Sequence, residues 1–374
     1  MVKKIGTITF HESINYGALL QTYALQNYLL NQGYDSEIID YRNSKRGTKH
    51  LSFSRRIIHG MWNKVIKKML VGNTRQRKTT DFINANIPLS QMKYFNSSML
   101  HEAPPQYDVY ITGSDQVWNP RNTSGDSSYF LTFAPKDKLK ISYAPSFGVT
   151  VLDDKYKVKY KDWLQGIDLV SVRESEGKAI IKDITGEDVK VTVDPTLLLE
   201  KKDWEKISIP YINKRPYILC YHMPGDKIVN KTISKIAKKI AEKNNWDVIS
   251  VGQKEYMKLI PGNKKIFDAG PDEYLGLFQN AAFVLTNSFH GTVFSITFNK
   301  PFYVPINYSL PAEKSLSSRI SSLLRMLNIE NRLIAANEEF NINKIEEISY
   351  NEVNILLKDA RENSQLFLKN SLGG

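Results

Sequence analysis

Four polar clusters hold the residue types that chemistry needs, and each follows a short apolar run: residues 11–17 (HESINYG), 112–119 (TGSDQVWN), 171–174 (SVRE) and 287–291 (NSFHG). A histidine can move a proton near neutral pH, a carboxylate can accept one, and the planar fork of an arginine pairs with a carboxylate or a phosphate. His290, Asp115 and Arg173 are the residues of these types in the clusters at 287–291, 112–119 and 171–174. Asp115, Gln116 and Trp118 add a carboxylate, an amide and an indole, which is what a sugar ring asks for: partners for hydroxyls and a face for C–H groups. Each cluster also has a plainer reading. Ser114 or Asp115 could cap a helix, Tyr16 could be core, Arg173 could serve an ion pair with Glu174 or Asp168, and a strand-end histidine could be a core group bonded to a carbonyl.

These clusters become one site only if the fold gathers them. Residues 281–291 read as a buried strand that opens into a helix over 292–298, and the N-terminus mirrors it, with a strand over 4–10 and a helical pattern in Leu19, Leu20, Tyr23, Ala24, Tyr28 and Leu29. Gly17, at the second elbow, lets backbone approach a ligand closely, and the free N–H groups of the following helix favour an anion. Further strands are predicted over 34–40, 107–111, 140–144, 168–172 and 189–193, then 216–222, 246–251, a run from Phe283, and 303–306; helices are predicted over 227–243, 272–281, 315–327 and 350–372. Such alternation is the pattern of parallel sheets covered by helices, in which ligands sit outside the carboxyl ends of the strands. The polar stretch 200–215 and Pro216 mark a boundary, giving an N-terminal α/β domain over 1–205, a second over 206–345, and a final helix within 346–374 that packs back on the first domain. The fold class is α/β, with two Rossmann-like domains facing a cleft.

Composition bounds the partners. The 374 residues suffice for two cores, and the single cysteine, Cys220, excludes a disulfide framework and fits a reducing compartment. The start lacks a signal-peptide core and no apolar run approaches a membrane-spanning length, so a cytoplasmic chain is expected. The net charge of +12 is concentrated in residues 42–80, where twelve Lys and Arg occur without one Asp or Glu. Apolar residues there, Phe53 to Leu70, recur at spacings of three and four, as in an amphipathic helix with a basic face. Such a helix can lie on an anionic bilayer, or dock on its own domain with its lysines merely solvated. Nucleic acid is not expected, since no recognition module accompanies the charge. No metal site is expected: His11 and Glu12 have no partner at ligand spacing, and His50, His59 and His101 are scattered. No glycine-rich nucleotide motif appears.

The sequence resembles the polysaccharide pyruvyl transferases. The likeness rests on TITFHESINYGALLQTYALQNYL, DVYITGSDQVWNP, SYAPSFG, SVRE, VDPTLLL and VLTNSFHGTVFSITFNKPF, in the family's order over roughly residues 1–305. It implies a two-domain fold like that of GT-B glycosyltransferases, and transfer of a pyruvyl group from phosphoenolpyruvate onto two sugar hydroxyls, giving a cyclic ketal and phosphate. Phosphoenolpyruvate would be a co-substrate and no cofactor is implied. His290 matches the histidine of the family's C-terminal motif and is expected as the general acid, with Asp115 as base or hydroxyl acceptor. Arg173 matches the SVR motif and is expected to bind the donor, together with Ser288 and Gly291. Asn15, Tyr16, Gly17, Gln116 and Trp118 are expected on the acceptor side. The chain departs from the family pattern at Ser288, where many members carry an arginine two residues before the histidine; Arg319 and Lys300 are the substitutes to examine. The acceptor is expected to be a cell-surface polysaccharide or its lipid-linked precursor at the inner membrane face. Two other readings stand beside this one: a glycosyltransferase that reads a nucleotide sugar through residues 272–277, and a non-catalytic member that binds membranes or polyanions.

Overall fold

The computed structural model describes residues 2–42, 62–221, 223, 226–252, 264–308, 317–336 and 338–373. Most of the basic segment's first half, residues 43–61, lies outside this set, and so do the side chains of 62–73.

The first half of the chain alternates β1 (Lys4–Ile8), α1 (Tyr16–Asn31), β2 (Asp35–Tyr41), α2 (Trp62–Asn86), β3 (Leu89–Tyr94), α3 (Ser97–Glu102), β4 (Val109–Asp115), α4 (Pro120–Thr123), β5 (Leu139–Pro145), α5 (Asp154–Leu164), β6 (Leu169–Val172), α6 (Ser175–Thr185), β7 (Lys190–Val191) and α7 (Lys201–Ile207). The second half continues with β8 (Tyr217–Tyr221), α8 (Lys227–Asn244), β9 (Asp247–Val251), β10 (Lys264–Ile266), α9 (Pro271–Asn280), β11 (Phe283–Thr286), α10 (Phe289–Thr297), β12 (Phe302–Ile306), α11 (Ser317–Met326), β13 (Leu333–Ala335) and α12 (Tyr350–Ser371).

Two sheets result among the described residues. The first has the order β3-β2-β1-β4-β5-β6-β7 and the second β10-β9-β8-β11-β12-β13, and the pairings are parallel throughout. Both orders reverse direction at one point, between β1 and β4 and between β8 and β11, and crevices for ligands form at such switch points. The strands at the switches are covered on both faces, as β4 and β11 show by burying every residue.

The halves are not loosely hinged. One hydrophobic core runs from Ile5 and Leu20 through Trp204 to Leu219 and Phe294. Within it the Trp204 ring contacts Tyr23 at 5.8 Å on one side and Phe294 at 5.1 Å on the other. Helix α12 crosses back as expected: Phe367 meets Tyr143, Lys3 Nζ donates to the Leu372 carbonyl, and Arg361 Nε donates to the Leu197 carbonyl at 2.7 Å.

Three strands, β3, β10 and β13, escaped the sequence pattern. Strand β3 (LSQMKY) sits at a sheet edge with one side exposed, so it lacks the apolar run of a central strand. The other two are three-residue edge strands. The strand expected over 189–193 shortens to two residues. Helix α10 begins at Phe289 and not at Thr292, because Ser288 caps it, so His290 stands on a helical first turn.

Candidate active site between the two sheets

The carboxyl ends of β1, β4, β8 and β11 converge on a cleft of about 440 Å³. The first half contributes Phe10, Ser13, Asn15, Ala18, Asp115, Gln116, Arg121, Asn122 and Ser124; the second contributes Met223, Asn287, Ser288, Phe289, His290 and Arg319. Six of the twelve site residues expected from sequence line it: Asn15, Asp115, Gln116, Ser288, His290 and Arg319.

Local geometry explains their poise. Asp115 ends β4 with φ +59°, a left-handed conformation that turns the chain out of the sheet, and its carbonyl accepts from Ser146 N. Asn15 caps α1 by accepting from Gly17 N at 3.0 Å, and Ser288 caps α10 by accepting from Gly291 N at 3.4 Å. Both helices therefore start at the cleft with their positive ends toward it.

His290 is held by two contacts from the first half. Its Nε2 lies 3.5 Å from Asp194 Oδ2, and its Nδ1 edge packs directly on Gly17, where a Cβ would overlap the imidazole. The two elbows read from the sequence thus meet each other, and Gly17 makes room for a histidine where a ligand was expected. Gly291 likewise answers to packing: a Cβ there would overlap the Thr286 hydroxyl.

Asp194 is the residue that sequence reasoning missed. Its side chain is fully buried just before a short 3₁₀ turn over Pro195–Leu197. One oxygen, Oδ1, accepts from Thr196 N at 3.0 Å and Thr196 Oγ1 at 2.6 Å; the other, Oδ2, accepts from Arg173 Nη1 at 2.8 Å and faces His290. Burial works against its ionisation, yet His290, Arg173 and Thr196 hold the carboxyl well below the usual carboxylate range. Its signal was the Asp-Pro-Thr of VDPTLLL, which reads equally as the cap it also is.

Arg173 needs correction as the leading donor contact. It lies behind the cleft wall, over the Phe289 ring at 4.5 Å, and is engaged by Asp194, by Glu174 at 3.5 Å and by Asp115 at 3.9 Å, while Asp168 takes no part. Burial opposes its charge but the three carboxylates outweigh it and keep the guanidinium ionised. Its Nη2 is buried without a partner among the described residues.

Of the two arginines that line the cleft, Arg121 is exposed and Arg319 is buried. The buried one, Arg319, is the stronger candidate for an anion. It comes from α11, which meets the first half where Ser322 touches Ser175, and its guanidinium stands 5.8 Å from the Phe289 ring, which Arg173 also covers. No carboxylate lies within ion-pair distance of it among the described residues, and burial together with repulsion from Arg173 pushes its pKa down to about 10. It stays cationic at neutral pH, desolvated and short of counter-charge, which is the condition of a site awaiting an anion.

Three other expectations are overturned by position. Trp118 is core, not a sugar platform: its ring stacks on Phe130 at 5.1 Å and its indole N–H donates to the Tyr129 carbonyl. Tyr16 is buried between Arg75 and Tyr274, with its hydroxyl donating to the Ala269 carbonyl across the halves. Lys300 precedes β12, at the amino end of a parallel strand, so it lies on the edge of the sheet opposite the cleft. In the segment offered for a nucleotide, Glu273 is occupied by Lys78 at 2.7 Å and by Gly270 N. Among the described residues no three His, Cys, Asp or Glu side chains are grouped to hold a metal ion. His11 bonds Asp40 at 3.0 Å, and Glu12 pairs with Arg42.

The family model for polysaccharide pyruvyl transferase matches residues 15–309, more than three quarters of the chain. The chain belongs to the polysaccharide pyruvyl transferase family. That match spans every residue that lines the cleft except Phe10, Ser13 and Arg319, so one cleft cation, Arg121, lies inside the matched region and the other, Arg319, outside it. A comparison with curated proteins returned no match. Among solved structures, the S. aureus MnaA–UDP complex is similar at 12% identity and a TM-score of 0.48, covering 99% of this chain and 91% of that one. The Methanocaldococcus jannaschii UDP-GlcNAc 2-epimerase with UDP-GlcNAc and UDP is similar at 13% identity and 0.46, covering 96% and 99%. Acinetobacter baumannii MurG is similar at 10% and 0.40, covering 100% and 96%. Neither activity nor ligand is carried over from likenesses this distant. This pyruvyl transferase family member has two Rossmann-like α/β halves by its own sheet orders.

Proposed function

We propose that this member of the family transfers a pyruvyl group from phosphoenolpyruvate to two hydroxyls of a sugar in a cell-surface polysaccharide or its lipid-linked precursor, forming a cyclic ketal and releasing phosphate. The observation that carries the reading is Arg319: a buried guanidinium with no carboxylate at ion-pair distance among the described residues, lining the same cleft as His290. A donor with a carboxylate and a phosphate supplies the missing counter-charge. The α10 N-terminus lies beside it and adds backbone N–H groups of the sign an anion needs.

The chemistry follows from what surrounds that anion. His290 gives a proton to the methylene carbon of the enol phosphate, leaving an oxocarbenium ion at the neighbouring carbon. One sugar hydroxyl attacks that carbon and yields its proton to Asp115; the second hydroxyl then replaces phosphate. The second hydroxyl's proton leaves with phosphate, Asp115 releases its proton to water and His290 takes one back from water, so the enzyme returns to its starting state. Ser13, Asn15, Gln116, Asn122 and Ser124 give the first-half wall the amide and hydroxyl groups that suit a sugar. No helix among the described residues is long and apolar enough to cross a membrane, and we assign the basic segment 42–80 the task of meeting the anionic surface on which such acceptors are carried.

Thermal stabilisation by ligands tests the donor. Phosphoenolpyruvate at a hundred times its dissociation constant should add about 2.7 kcal/mol. Arg319→Gln is expected to lose that gain and His290→Gln to keep it while losing turnover. Stabilisation by UDP-sugars in place of phosphoenolpyruvate would return the chain to the nucleotide-sugar reading. Silence from both ligands would favour the non-catalytic one.

A further inference from the structure

The cleft residues answer to a group that does not itself line the cleft. Asp194 belongs to the first half and His290 to the second, and Asp194 Oδ2 is shared between His290 Nε2 and Arg173 Nη1 at 3.5 and 2.8 Å. Its other oxygen is locked by two bonds from Thr196, and Ser114 Oγ lies 3.4 Å from Oδ2, so the carboxylate cannot swing to favour either partner. His290 Nε2 is buried and makes no hydrogen bond among the described residues, and the carboxylate oxygen it faces, at 3.5 Å, is Asp194 Oδ2. Nδ1 lies beside Gly17, which offers it no side-chain group, on a residue that lines the cleft.

We propose that Asp194 is a positioning residue that fixes the imidazole of His290 with its hydrogen on Nε2, so that Nδ1 is the nitrogen that gains and loses the working proton, and that the same oxygen holds Arg173 in register behind Phe289. A carboxylate takes a hydrogen from one ring nitrogen and thereby assigns the tautomer. Because the contact crosses between the halves, it also makes the acid's alignment depend on their closure. The inference rests on the reading of His290 as the acid, but its first test does not.

Long-range ¹H–¹⁵N correlation spectra of the ligand-free, histidine-labelled protein report which ring nitrogen carries hydrogen in the neutral imidazole. The wild type should show His290 with hydrogen on Nε2. Asp194→Asn, near in shape but with an amide donor at one of the two oxygen positions, should shift it to the Nδ1–H form or to a mixture. In turnover with phosphoenolpyruvate, Asp194→Asn should lower kcat by about a hundredfold or more, while KM for the donor stays within about twofold, since neutralising its partner leaves Arg173 no less able to support an anion. An unchanged tautomer in Asp194→Asn would overturn the proposal whatever the enzyme's substrate proves to be. A KM that rises in step with the fall in kcat/KM, at unaltered kcat, would overturn it too and leave Asp194 a binding element only. Should Asp194→Asn fail to fold, Thr196→Val removes one of the two donors to Oδ1, and a partial shift of the same tautomer is expected; none would count against the proposal.

Discussion

At the residue scale the site depends on one absence and one buried cation. The absence is the side chain of Gly17, whose place the His290 ring fills. Packing that close is all or nothing, because the neighbour is an aromatic ring seated at a helix start, not the free end of a flexible chain. Gly17→Ala should therefore cost about 1–3 kcal/mol in chemical denaturation, the usual range for overpacking. In a His290→Ala background the ring is gone and only the Cβ at 290, 2.8 Å from the added methyl, remains, so the same substitution should cost distinctly less. That coupling, measured as a double-mutant cycle, separates packing from helix propensity, which would favour alanine in both backgrounds. An equal cost in both would mean that Gly17 and His290 do not touch. The buried cation is Arg319, which has no ion-pair contact among the described residues, and Ser288 shows why it matters: serine caps α10, whereas an arginine at that position could not accept the Gly291 N–H. This chain keeps the cap and brings its cation from α11.

At the scale of elements, the residues around Asp194 are clamped from far along the chain. Helix α12 donates from Arg361 Nε to the Leu197 carbonyl at 2.7 Å, and Ser364 Oγ accepts from Val193 N at 3.0 Å, so the turn that presents Asp194 is bonded on both flanks. Ser364→Ala leaves a buried N–H without a partner, which should cost about 1–3 kcal/mol, and Arg361→Met should cost about 1 kcal/mol more by a separate bond. Since both act through the same turn, kcat should fall in each while KM for phosphoenolpyruvate holds; loss of stability with unaltered kcat would show that the turn keeps its shape without them. The sequence disclosed a last helix that would pack back on the first half, but it could not disclose which residues it would meet there. The same limit explains the errors of side-chain assignment. Periodicity locates strand ends, which is why Asp115, Asn15 and His290 were found. It says nothing of the side to which a tryptophan or tyrosine points, and Trp118 and Tyr16 went into the core, where their polar tips meet carbonyls. Lys300 was drawn in by proximity to His290 in sequence, which a nine-residue helix converts into distance.

Across the whole molecule, charge and fold are divided between different tasks. The two sheets were legible because alternation of strand and helix survives small errors of boundary, and the cleft follows from the two switch points. The basic segment is another matter, since composition reports its charge without its partners. Among the described residues three of its cations have intramolecular roles: Arg42 pairs with Asp40 and Glu12, Arg75 is buried over Tyr16 and donates to the Ile14 carbonyl, and Lys78 pairs with Glu273 across the halves. The end of α2 that holds Arg75, Lys78, Phe82 and Ile83 is thus a docking helix, and the apolar alternative is satisfied there. The rest of the segment supplies the excess charge, and attraction of roughly 1 kcal/mol per cation at an anionic leaflet is enough for reversible attachment even if half of them engage. The protein should cosediment with phosphatidylglycerol vesicles at low salt and leave them as salt shortens the screening length, whereas neutral phosphatidylcholine vesicles should not retain it. Lys64, Lys67 and Lys68 lie within one turn of the helical backbone of α2, so replacing all three by glutamate reverses the local field at one place. Retention by anionic vesicles should then be lost with the thermal midpoint unchanged. Retention that persists in the triple variant would move the attachment elsewhere on the surface, and a fall in the midpoint would mean that these lysines belong to the docked end of the helix.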